Sequence, residues 1–144
     1  MQATLIIIII GLAGGVAVGL QSPLSSMISQ RLGVLESVFI VHLGGAILAL
    51  IPLLVLGHRL AQWRSVPWYA LTAGAFGLVV IASVSYMIPR VGIAAAITAI
   101  VAGQLLVGTL LDHYALLGSA GRPLDVTRAV GLVIVMVGVW VTVR

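Results

Sequence analysis

The chain is 144 residues long, 62% hydrophobic and only 7% charged, with a mean hydropathy of +1.30. A soluble domain carries about 25% charged residues because it needs a wettable surface; this chain has none to offer, so lipid must be its solvent. Its net charge of +4 comes from seven Arg, scattered singly, against three acids, which excludes a nucleic-acid patch, and the absence of Cys excludes disulfides and thiol chemistry.

Crossing about 30 Å of hydrocarbon takes roughly 20 helical residues. Five stretches reach that length, at about 3–29, 34–56, 68–88, 91–111 and 126–143. The expected fold is all-α, a polytopic membrane protein forming a single transmembrane domain over 1–144. The first apolar run, from Leu5, lacks a basic leader and an A-x-A site and is expected to be a retained helix. Gly11, Gly15 and Gly19 lie four apart on one face of it, a spacing that admits close backbone approach by another helix. Gln21 and Ser25 follow, also four apart, with Pro23 between them releasing the carbonyl of Gly19 from its helical bond. Such a Gly-plus-Pro interruption marks either a solute site or a packing kink.

Gln30-Arg31-Leu32-Gly33 separates the first two spans. Glu36 opens the second, where it either pairs with Arg31, caps its own helix or serves as a charged solute contact. His42 lies about two turns deeper and can titrate near neutral pH, or be a satisfied core residue. The connection His58–Pro67 ends in a cluster of interfacial aromatics, Trp63, Trp68 and Tyr69. Gly74 and Gly77 mark the third span, Ser83 and Tyr86 its far end, and Pro89-Arg90 is the expected joint to the fourth. There Gln104, Gly108 and Asp112 fall at i, i+4 and i+8 on one face. Gln104 is mid-membrane and needs a protein or ligand partner. Asp112 either marks the membrane exit, bonded to His113 or Arg122, or is a cation or proton site. After Gly118–Asp125 the fifth span carries Gly131, Gly138 and Trp140.

No H-E-x-x-H, G-x-S-x-G or P-loop is present, and the three His do not cluster at ligand spacing. Neither an enzyme nor a metal or other cofactor is expected. The polar residues in hydrocarbon suggest a solute pocket made by Gln21, Ser25, His42, Tyr86 and Gln104, with Glu36 or Asp112 as its charged or coupling member.

GQ at 103–104, DHY at 112–114 and LG at 117–118, with Pro67-Trp68, Gly74, Gly77, Arg128, Gly131 and Gly138, resemble the signature of the YdcZ-like family. These are small five-helix members of the drug/metabolite transporter (DMT) superfamily. The resemblance implies a multi-pass protein of the bacterial inner membrane that exports small polar or cationic metabolites by alternating access. It further implies one half-unit of the larger EamA-like transporters, which a homodimer of antiparallel copies would complete. Two residues depart from the family pattern: Ser25 stands where Asn is usual, and His42 where an aromatic is usual. The first helix also lacks the carboxylate that small multidrug resistance proteins carry there. A reading of another class is a non-transporting membrane subunit or scaffold of a larger complex.

Charge adds an expectation about orientation. Alternating spans put Arg59, Arg64, Arg122 and Arg128 on one side of the bilayer and Arg31, Arg90 and Arg144 on the other. Orientation needs an excess of positive charge on one side, and four against three is nearly a tie. Reporter fusions at the C-terminus are therefore expected to show both orientations, and two Arg added to one loop to collapse them into one. A single orientation in the unmodified protein would count against antiparallel copies.

Overall fold

The computed structural model describes residues 2–57 and 59–144, the side chains of Gln2 and Ala3 excepted. His58, at the head of the expected second connection, lies outside them. Five helices follow one another: α1 (Gln2–Leu32), α2 (Val34–Leu56), α3 (Ala73–Val91), α4 (Ile93–His113) and α5 (Val126–Val143). Two short 3-10 segments, Leu60–Ser65 and Ala70–Thr72, lie between α2 and α3, and the described residues include no strand. All five helices are long and apolar enough to cross a membrane, the first as a span of 29 residues and the last of 18.

α2 and α5 have the limits their apolar runs suggest, whereas the joints on either side of α1 and α4 do not. α1 continues through Gln30 and Arg31, both good helix formers, and stops only at Gly33. Pro89 lies inside α3, and the break comes at Gly92 instead. Both glycines have positive φ, 116° and 83°, a region that costs any other L-residue about 1–2 kcal/mol. Helical bonding runs up to each and resumes beyond it. The N–H of Gly33 donates to Ser29 O at 3.0 Å, and Ser37 N–H donates to Gly33 O at 3.1 Å. Gly92 does the same with Ile88 O and from Ala96 N–H. Proline removes one bond from a helix, whereas a left-handed glycine turns the chain. The third helix also starts later than Trp68: Trp68 and Tyr69 precede it, ring against ring at 6.2 Å.

The chain forms two compact units, Met1–Tyr86 and Met87–Arg144. In the first, α1 packs on α2, and what these two helices bury is small and polar, Ser22, Ser25 and Ser26 of α1 and Ser37 of α2; α3 adds Ser85 and two apolar residues, Ile81 and Val84. In the second, α4 packs on α5 and buries Ala95, Ala96 and Ala102. The large apolar side chains lie outside; Leu54 is 78% exposed and Ile7 70%. That inversion suits lipid, which solvates Leu as well as a protein interior does.

Among the described residues, nothing packs on the glycine stripe of α1. No atom of another element lies within 4 Å of where a Cβ would stand at Gly11, Gly15 or Gly19, and α1 is exposed from Thr4 to Val18. Gly77 is different: a Cβ there would overlap the imidazole of His42, so this glycine lets α2 lay its ring on α3.

The α1–α2 contact depends on the Ser37 hydroxyl, which donates to Ser25 O at 2.8 Å. Ser37→Ala is expected to cost about 0.6 kcal/mol, the average for interhelical side-chain bonds in membranes, and at most about 2 kcal/mol, by denaturation in detergent. Ser29→Ala, whose hydroxyl has no partner among the described residues, should change little.

Candidate functional site

Polar groups gather where α1 and α2 approach Gly33. Ser37 commits its one proton to Ser25 O, so in the 3.2 Å contact between the two hydroxyls Ser25 must be the donor. Ser26 accepts from Gln30 Nε2 at 3.1 Å, and Ser22 donates to Val18 O of its own helix at 2.9 Å. Each of these four hydroxyls is thereby satisfied within the unit.

Glu36 stands at the edge of this cluster, exposed, in the first turn of α2. Its carboxylate folds over Gly33, where a Cβ would collide with it. Neither expected structural role holds. It forms no ion pair with Arg31 and no capping bond among the described residues, because the Gly33 N–H is already given to Ser29 O. His42 is exposed on α2. Its Nδ1 donates to Val38 O at 2.8 Å, and its Nε2 lies against Gly77. Gln21 and Tyr86 are also exposed, Tyr86 by 63%. In Met1–Tyr86, then, Ser25 lies in a bonded interior, while Gln21, Glu36, His42 and Tyr86 lie on the surface.

One hydroxyl that sequence reasoning passed over is short of a partner. Ser85 of α3 is 8% exposed, and its Oγ is the one buried side-chain polar atom without a hydrogen bond among the described residues. Pro89, four residues on, has no N–H to offer the Ser85 carbonyl. Serine four before an intrahelical proline is a signal readable from sequence, and it marks a place where a solute or water can be held.

In Met87–Arg144, Gln104 is exposed on α4, with no hydrogen bond among the described residues. Asp112 is fully engaged. Its Oδ2 meets Arg128 Nη2 at 2.8 Å and its Oδ1 accepts from Ser119 Oγ at 2.6 Å. The partners expected from sequence, the side chains of His113 and Arg122, are not those found. His113 Nδ1 accepts from Leu124 N–H, and Arg122 gives its backbone N–H to Asp112 O at 2.8 Å. Arg128 also donates to Arg122 O at 2.9 Å, while Asp125 caps α5 by accepting from Arg128 N–H at 2.8 Å. The sequence stripe misses Arg128 because the chain returns through an irregular connection, with left-handed Ala115 and Leu117 at φ 51° and 52° followed by Gly118 and Gly121 at 83° and 71°, and helical spacing does not extend across it.

The family model described as "Putative inner membrane exporter, YdcZ" matches residues 6–141. No curated protein and no solved structure matches the chain significantly.

The Asp112 arrangement ties the α4–α5 connection together. Both side chains of the ion pair are about one-third exposed, so solvent screens their attraction and the coupling is expected to be weak, with the Ser119 bond adding to it. In a double-mutant cycle, Asp112→Asn and Arg128→Gln should each lower stability, and the pair should lose less than the sum.

Proposed function

Because the chain belongs to the YdcZ family of inner membrane exporters, we propose that it exports a small polar or cationic metabolite, with Glu36 as the charged contact. The observation that carries this reading is the state of the three acids. Asp112 is held by Arg128 and Ser119, and Asp125 caps α5. Glu36 alone has no ionic or hydrogen-bonding partner among the described residues. A carboxylate at a membrane boundary without a protein partner is suited to receive a cation. Asp112 is the weaker candidate for coupling, since any cation there would have to displace an arginine.

The further solute contacts proposed are Gln21, Ser25, His42 and Tyr86, with the unpartnered Ser85, and, in Met87–Arg144, Gln104. A homodimer of antiparallel copies would supply the second half of an alternating-access transporter. Two features support it: the near-even Arg distribution, and the glycine stripe of α1, which is open to a helix from outside the chain.

The test is a thermal-shift screen of the purified protein against small amines, other metabolites and cations. A solute that binds the folded state at 100 times its Kd stabilises it by about 2.7 kcal/mol. Glu36→Gln and Gln104→Leu should abolish the shift given by a cationic hit while leaving expression intact, and Asp112→Asn should retain it. An unchanged response from Glu36→Gln would remove the charged contact from the proposal, and one from Gln104→Leu would remove Gln104 from the pocket.

A further inference from the structure

A groove of about 590 Å³ runs along the outer surface of α1 and α2, lined by Leu24, Met27, Ile28, Leu32 and Ile40, with Arg31 as its only charged residue. From Leu24 to Leu32 it follows about 12 Å of helix axis, a little less than one leaflet of a hydrocarbon core about 30 Å thick. Arg31 lies in the last turn of the span Thr4–Leu32, which puts its guanidinium at headgroup level. The negative end of the α1 dipole favours a cation there. The guanidinium has no hydrogen bond or ion pair among the described residues, since Glu36, five residues on, is turned over Gly33.

We propose that this groove is a binding site for a glycerophospholipid, with one acyl chain along the apolar wall and the phosphodiester on Arg31. Charge selects the occupant. Arginine offers a fork of donors that matches phosphate oxygens in pairs, and a water-poor interface strengthens that attraction. The apolar wall explains why the anion is a lipid rather than a soluble phosphate: it ends one leaflet below the charge, where only a chain attached to the headgroup reaches. The site stands apart from the solute reading, which rests on Glu36 and not on Arg31.

The protein purified in an uncharged detergent provides the test, by melting temperature and by native mass spectrometry. Dioleoylphosphatidylglycerol should raise the melting temperature by several degrees and appear as a retained adduct. Dioleoylglycerol, with the same chains and no phosphate, should do neither. Arg31→Gln should lose the shift and the adduct, as should Leu24→Trp, which fills the groove without touching the charge. Arg144→Gln should keep both, because Arg144 lies over the Trp140 ring at the far end of the chain. Three results would overturn the proposal: equal shifts from the two lipids, a full shift in Arg31→Gln, or the same shift from inorganic phosphate alone. A Leu24→Trp protein that loses self-association but keeps the lipid shift would also overturn it, by giving the groove to a second copy of the chain.

Discussion

The hydrogen bond from the Ser37 hydroxyl to the Ser25 carbonyl joins two helices that have no apolar reason to meet. In water, α1 and α2 would be driven together by their leucines. In lipid those leucines are already solvated, and association depends on groups that hydrocarbon cannot satisfy. Most of the buried set follows from that constraint: Ser22, Ser25, Ser26, Ser37 and Ser85, with alanines on α4, joined only by Ile81 and Val84 of α3 among larger apolar residues, while most Leu, Ile and Val face outward. Small side chains let the backbones approach, and hydroxyls then close the bonds.

The same constraint sorts the charged residues. A carboxylate near the bilayer either finds a partner in the protein or waits for one from outside. Asp112 and Asp125 are the first kind, both drawn into the α4–α5 connection by Arg128, whose side chain meets one and whose backbone N–H meets the other. Glu36 is the second kind. Arg31 shows that proximity in sequence is not pairing: it lies five residues before Glu36, yet the Gly33 turn directs the two groups apart.

Sequence was most informative where the physics is collective. Five runs of apolar residues each long enough to span hydrocarbon leave little choice of fold, and the limits of α2 and α5 follow from them directly. Single-residue decisions were less legible. Pro89 looks like a break, yet α3 continues through it, because one missing N–H is tolerated where a neighbouring glycine can take the turn. The partner of Asp112 lies sixteen residues away across an irregular connection with four left-handed residues, Ala115, Leu117, Gly118 and Gly121, over which helical spacing says nothing. Ser37 gave no signal at all, being one hydroxyl in an apolar run. The glycine series in α1 was legible as a pattern but not as an address, since a stripe of small residues does not say which helix will lie on it.

The joint at Gly33 also bears on how the protein is made. With one residue between α1 and α2, there is almost no loop to carry across the bilayer during insertion. In the orientation in which this joint crosses, it carries a glycine flanked by one cation, Arg31, and one anion, Glu36, which sum to zero. The electrical work of moving that turn through a membrane potential is therefore close to nil, since such work scales with net charge moved. A helical hairpin with so small and so neutral a tip can enter lipid as a folded pair, its Ser25–Ser37 bond already made, rather than as two helices that must find each other afterwards.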